Sequence, residues 1–116
     1  MVVGASTNPA RYAYLAVNRL LAKGHEVIPL GVKRGNINGV EIETELKEFK
    51  DIDTVTLYVN PSVQKEYYDY ILNTIKPKRI IFNPGTENRE FEKIAKAKGI
   101  EIVEACTLVL LSTGQF

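Results

Sequence analysis

Three times along this chain a short β-rich run stops at small polar residues and a helical pattern begins at once. The turns are Gly4 to Asn8, Asn60-Pro61-Ser62 and Asn83-Pro84-Gly85-Thr86. Strand, tight turn and helix in quick succession describe βα units, and repeated βα units with right-handed crossovers give a parallel sheet covered by helices on both faces. The predicted architecture is therefore α/β: a three-layer, doubly wound, Rossmann-like parallel sheet of about five strands. No repeat, linker or low-complexity stretch interrupts residues 1–116, which read as a single domain.

The first of these units carries the most information. Met1-Val-Val-Gly-Ala-Ser-Thr-Asn-Pro-Ala-Arg11 places an apolar run, one glycine and small polar residues ahead of a helix. A turn of this kind leaves backbone N–H groups unpaired where the positive end of the helix dipole points, which attracts an anion. Ser6, Thr7 and Asn8 add side-chain hydrogen bonds. Asn8 followed by Pro9 is read as helix cap and first-turn proline, with Arg11 one turn in as a fork of donors. A single glycine also suffices merely to make a turn, and G-x-G-x-x-G is absent.

The rest of the chain follows the same alternation. Ala13, Ala16, Val17, Leu20 and Leu21 recur at helical spacing, and Lys23-Gly24 closes that helix. A second strand is expected over Glu26–Leu30, then a polar loop over Gly31–Asn38 and a short edge strand over Val40–Glu43. Thr54–Val59 is the next strand, and the helix after it is expected to bury Val63, Tyr67, Tyr70, Ile71 and Thr74 up to Pro77. Arg79–Phe82 precedes the third turn, where Thr86 is the expected cap for a helix burying Phe91, Ile94 and Ala95 and ending near Gly99. Glu101–Glu104 is the last strand, with Thr107–Leu111 packing back as helix or strand.

In a doubly wound sheet the ligand lies beyond the carboxyl ends of the strands, where strand order reverses. The three turns line one crevice there if their strands are neighbours, and Lys33 and Arg34 overhang it from the end of the second strand. An NAD site usually presents an acidic residue at that place. Leu30-Gly-Val-Lys-Arg34 presents cations instead, which favours an extra phosphate on the ribose, as in coenzyme A or NADP.

Lys and Arg number 15 against 14 Asp and Glu, so no general attraction to nucleic acid or to an anionic membrane is expected. With no long apolar run and one cysteine, Cys106, the chain reads as a cytoplasmic protein. His25 falls at the start of its strand, away from the crevice, and Cys106 has no histidine near it to activate it. Neither supplies a catalytic group, and no cluster of metal ligands is present. Tyr67, Tyr68 and Tyr70 cannot all face the core, which leaves one or two for a contact with a second copy, as in a homodimer.

These residues together resemble the small stand-alone CoA-binding proteins, relatives of the CoA-binding domain of the succinyl-CoA synthetase alpha subunit. The likeness rests on Val3-Gly-Ala-Ser6 with Asn8-Pro9 and Arg11, Tyr14, Gly24-His-Glu-Val-Ile-Pro29 leading to Lys33, and Cys106. Tyr58-Val-Asn-Pro61 and Asn83-Pro-Gly-Thr-Glu87 look like the synthetase turns that line the coenzyme. The resemblance implies coenzyme A or acyl-CoA as ligand, with Gly4, Ala5, Ser6, Thr7, Asn8 and Arg11 on the phosphates. It puts Lys33 at the phosphorylated adenosine end, and Asn60, Pro61, Asn83, Pro84 and Gly85 along the remainder. Many relatives have Pro at Tyr12, Ser at Ala13, and an Asn-Pro-Lys-like run at Leu30–Lys33. The synthetase's phosphorylated histidine belongs to another domain, so binding without ligase activity is implied. An NADP-type binding or redox-sensing domain, and a subunit presenting acyl-CoA to a separate ligase or transferase, are the alternatives.

Overall fold

The computed structural model describes residues 1–116. Five parallel strands form the sheet: β1 (Val2–Val3), β2 (Pro29–Leu30), β5 (Thr54–Leu57), β6 (Arg79–Phe82) and β7 (Glu101–Glu104). Their spatial order is β2-β1-β5-β6-β7, so the chain winds outward from β1 first in one direction and then in the other. Register is continuous across the sheet, with Val3 opposite both Leu30 and Leu57, and Leu57 opposite Phe82.

Successive strand residues point to opposite faces, and the two cores divide accordingly. Val2 packs with Ala13, Val17 and Leu20 of α1 (Tyr12–Ala22) and Leu111 of α4 (Thr107–Ser112). Val3, Val55, Leu57 and Phe82 pack on the other face with Ile71, and with Phe91 and Ala95 of α3 (Arg89–Ala97). Phe91 is fully buried between Phe82, edge-on at 5.7 Å, and Tyr68, stacked at 4.4 Å. Removing such a side chain from water contributes roughly 1.5–3 kcal/mol.

The structure revises four local expectations. The stretch read as a loop over Gly31–Asn38 ends in a hairpin, β3 (Asn36–Ile37) against β4 (Val40–Glu41), turned by Asn38 and Gly39 at φ of 51° and 94°. Asn-Gly suits the two positive φ angles of such a turn. Only Glu43, beyond β4, reaches the main sheet, pairing in parallel with Leu30. The second strand is likewise shorter than expected, Pro29–Leu30.

The helix that starts at Asn60-Pro61 changes pitch along its length. It runs as α2 (Pro61–Gln64), a 3₁₀ turn (Lys65–Tyr67) and a π-helical stretch (Tyr70–Ile75). The wider turn rotates the buried face onto Leu72 and Ile75 and leaves Thr74 in solvent. Asn88, and not Thr86, caps α3: its Oδ1 accepts from the Phe91 amide at 3.1 Å, and Ile94 is partly exposed. Gly99, at φ 79°, follows the end of that helix as its sequence suggested.

Candidate functional site

Because β2 lies on one side of β1 and β5 on the other, the connections leaving β1 and β5 diverge and open a cleft between their carboxyl ends. It has a volume of about 800 Å³ and is lined by residues from all three turns and from the loop after β2.

The floor of the cleft is Gly4. Its φ is 95°, and a Cβ there would stand 2.9 Å from Val59 Cγ1 and 3.0 Å from the Tyr58 carbonyl oxygen. The chain therefore passes closer to β5 than any side chain would permit. The amides of Gly4 and Ala5 both donate to the Leu30 carbonyl at 2.9 Å, so they hold the turn and face no ligand. The Ser6 and Thr7 amides, one step further on, donate to nothing in the protein.

The helix after this turn begins later than its sequence suggested. Asn8 Oδ1 accepts from the Ala10 amide at 3.0 Å and Asn8 O accepts from the Arg11 amide at 3.0 Å, which closes a separate turn over Pro9 and Ala10. Asn8 thus caps that turn, and α1 starts at Tyr12 with Arg11 in the cap position and no side-chain cap. The first helical bond is Leu15 N–H to Arg11 O, which leaves the amides of Tyr12, Ala13 and Tyr14 without acceptors. No acidic residue stands in this first turn. An uncapped helix start facing a cleft, next to two further free amides, is a set of donors for an anion.

Two glycines bring the basic loop to this turn. A Cβ on Gly31 would lie 2.4 Å from Ala5 O, and one on Gly35 2.4 Å from Thr7 Cγ2. Lys33, between them, lines the cleft. Arg34 does not. It lies over a separate hollow with Glu41, Glu43 and Glu45. The ion pair in the structure is Lys47–Glu43 at 3.2 Å, so Arg11 and Lys33 face the cleft with no carboxylate bound to them.

The second and third turns are joined from beneath by Gln64, which is fully buried. Its Nε2 donates to Val59 O and to Thr86 O, both at 2.8 Å, and its Oε1 accepts from Asn88 Nδ2 at 2.9 Å. The third turn differs from the first in one respect that matters for charge. Glu87 Oε1 accepts from the Gly85 amide at 2.9 Å, so the protein's own carboxylate occupies the donor that an anion would need. Pro84, Gly85 and Thr86 make a neutral end to the cleft, beside Tyr67 and Val63.

Of the residues singled out in the sequence, Gly4, Ala5, Ser6, Thr7, Arg11, Lys33, Asn60, Pro84 and Gly85 line the cleft. Asn8, Pro61 and Asn83 do not. Asn8 serves its turn, and Pro61 opens α2 behind Asn60, whose Oδ1 accepts from the Val63 amide at 3.0 Å. Asn83 is buried and spends its side chain on the sheet: Nδ2 donates to Thr56 Oγ1 at 2.7 Å and Leu57 O at 2.8 Å, and Oδ1 accepts from the Thr107 amide at 2.8 Å.

Sequence reasoning missed Gly31, Tyr12 and Val32 as lining residues, took Val63 and Tyr67 for core, and reached Tyr58 only through the resemblance of Tyr58-Val-Asn-Pro61 to a coenzyme-lining turn. Gly31 was detectable as a glycine directly after a strand. Tyr58 lines the cleft because β5 stops at Leu57 and the run continues beyond the sheet. The Tyr58 hydroxyl is buried without a hydrogen-bond partner, since the nearby Thr56 and Thr107 hydroxyls bond each other at 2.7 Å. Burial pushes its phenol up to about 12.

His25 and Cys106 lie away from the cleft. His25 packs edge-on against Phe116 at 5.2 Å, in a hollow with Met1 and Asp53 at the opposite end of the strands. Cys106 is half-buried at the start of α4 and outside the cleft lining. Of the tyrosines, Tyr70 is buried and donates to Lys47 O, Tyr68 stacks on Phe91, and Tyr67 lines the cleft. No helix is long and apolar enough to cross a membrane.

A family model described as a CoA binding domain matches residues 1–112. Among solved structures, an uncharacterized protein is similar at 53% identity and TM-score 0.96, over 99% of this chain and 94% of its own. A hypothetical protein from Pyrococcus horikoshii OT3 is 30% identical with TM-score 0.86, over 97% and 80% of the two chains. A conserved hypothetical protein from Pyrococcus furiosus is also 30% identical, with TM-score 0.77 over 88% of each chain. No curated protein matches.

Proposed function

This chain belongs to the CoA-binding domain family, and from that premise we propose that it binds coenzyme A, or an acyl-CoA, in the cleft between β1 and β5. The observation that carries the reading is the uncapped start of α1 beside the free Ser6 and Thr7 amides, with two unpaired cations and no carboxylate among the lining residues.

The fit can be argued group by group. The diphosphate belongs on the Ser6, Thr7, Tyr12 and Ala13 amides, where the helix dipole adds to the donors and Arg11 supplies a forked cation. The 3′-phosphate on the ribose belongs to Lys33. The uncharged pantetheine arm suits the other end, along Val63, Tyr67 and Pro84, where Glu87 has already taken the Gly85 amide and a phosphate would be repelled. Bound coenzyme supplies a thiol or thioester, and this chain's residues hold and orient it. The ionisable side chains that line the cleft are Arg11, Lys33 and tyrosines, with no His, Cys, Asp or Glu.

The test is a thermal-shift and calorimetry panel with CoA, acetyl-CoA, dephospho-CoA, NADP and NAD. A ligand at about 100 times its dissociation constant adds about 2.7 kcal/mol of stability. CoA or acetyl-CoA is expected to raise the midpoint most and dephospho-CoA less. No binding by any adenine coenzyme overturns the reading, and NADP outranking CoA replaces it with a dinucleotide site that uses the same cation.

A further inference from the structure

The two most exposed large apolar side chains of the molecule are Val32, 85% exposed, and Tyr12, 70% exposed. Both line the same cleft, Tyr12 from the first residue of α1 and Val32 from the loop after β2. Each is the chain neighbour of a cleft cation without an ion-pair partner, Arg11 and Lys33. The other exposed large hydrophobics, such as Leu46 and Val109, lie outside this cleft.

We propose that Tyr12 and Val32 form the contact surface for the adenine ring, and that Tyr12 stacks on it. This rests on the coenzyme reading above. In coenzyme A every phosphate is attached to the ribose that carries the base, the diphosphate at one carbon and the monophosphate at another. The base leaves from a third ribose carbon, across the ring from both, so a site that holds the first near Arg11 and the second near Lys33 keeps the base within one ribose of either cation, in reach of the side chains beside them. The side chains adjoining those two cations are a phenol ring and an isopropyl group, and both stand in water until a flat apolar surface covers them. Tyr14, on the same helix, is half-buried in the core and is not available for this role.

Tyr12 also sets a preference. An aromatic–base stack tolerates any purine, and its loss weakens binding by about 5- to 150-fold. The pantetheine end makes no use of it. Ligands carrying the adenosine part thus depend on Tyr12, and ligands carrying only the pantetheine part do not.

The chain has no tryptophan, so Tyr12→Trp creates a single fluorescent reporter at this position. Titration with CoA is expected to quench its emission, and adenosine 3′,5′-bisphosphate to do the same, while 4′-phosphopantetheine leaves it unchanged. By calorimetry, Tyr12→Ala is expected to weaken CoA and the bisphosphate at least about fivefold and 4′-phosphopantetheine not at all. Because Tyr12 is largely exposed, the variant is expected to keep its unfolding midpoint, which is measured alongside. If wild-type protein binds CoA but Tyr12→Ala binds it within about twofold and the tryptophan stays unquenched, the adenine assignment falls and the coenzyme reading stands. If wild-type protein binds no CoA, both fall together. Light scattering that finds a dimer lost on Tyr12→Ala assigns the patch to a second copy and overturns the proposal.

Discussion

A Cβ added to Gly31 would stand 2.4 Å from the carbonyl oxygen of Ala5, closer than any real side chain approaches a backbone oxygen. That contact seats the Val32–Arg34 loop against the opening turn and places Lys33 at the cleft. Gly31→Ala is accordingly expected to force the two segments apart. The loss should be roughly 1–3 kcal/mol by urea unfolding, as for overpacking in a core. CoA affinity should fall with it, because both the loop and the turn shift. Unchanged stability would show that the loop gives way without cost.

Lys33→Gln removes one unpaired cation from an exposed loop and leaves the fold alone. It is expected to weaken CoA about tenfold while changing dephospho-CoA little, since a charge-assisted hydrogen bond contributes roughly 1.5–3 kcal/mol before solvent screening. Calorimetry at two salt concentrations checks this. Equal losses for both ligands would place Lys33 elsewhere on the coenzyme.

Asn83→Ala strands the Thr107 amide in the interior and takes a donor from the Leu57 carbonyl, while the Thr56 hydroxyl keeps its bond to Thr107 Oγ1. Leaving buried polar groups unpaired costs about 1–3 kcal/mol each, so a total of roughly 2–4 kcal/mol is expected by thermal unfolding. Because the side chain never reaches the cleft, CoA affinity measured below the transition should be retained. A selective loss of affinity at full stability would restore Asn83 as a ligand contact.

Gln64→Leu keeps the volume and removes the join between the second and third turns. The Val59 and Thr86 carbonyls lose the Gln64 donor and the Asn88 side-chain amide keeps only Tyr68, so a destabilisation of roughly 2–4 kcal/mol is expected by denaturant unfolding. Hydrogen exchange at Thr86 and Asn88 should accelerate in step. A neutral substitution would mean that water replaces the side chain.

Tyr58 and Tyr70, both pushed up to about 12 by burial, fix the alkaline limit of stability. In the unfolded chain a phenol ionises near its ordinary value of about 10. Above that pH the unfolded state binds fewer protons than the folded state, so stability falls as pH rises from about 10 to about 12 and is flat below this window on their account. Tyr58→Phe removes a hydroxyl that has no partner and is expected to be neutral or stabilising at pH 7, with a shallower alkaline decline. Urea unfolding at pH 7, 10 and 11 separates these outcomes.

Much of the fold follows from local backbone chemistry and was readable without coordinates. The βα alternation, the Asn60-Pro61 helix start, Gly99 after α3, and the strands Arg79–Phe82 and Glu101–Glu104 depend on residues a few positions apart. Where two neighbouring signals competed, local reading chose wrongly. Thr86 and Asn88 are both cap residues, and burial of Asn88 between Gln64 and Tyr68 decided for the second. The change of pitch before Ile75, which buries Leu72 and exposes Thr74, has no signature in a 3.6-residue pattern.

By itself the sequence determined that three strand ends would carry small polar turns and that cations, with no acid, would follow the second strand. Only tertiary structure decided what those turns offer a ligand, because an amide is free or engaged according to partners distant in the chain. Leu30 takes the Gly4 and Ala5 donors, leaving Ser6 and Thr7 open, and the sheet draws Asn83 inward onto Thr56 and Thr107. The same packing sends Lys33 into the cleft and Arg34 away from it, a difference set by the close contact of Gly31 with Ala5 and invisible in two adjacent basic residues.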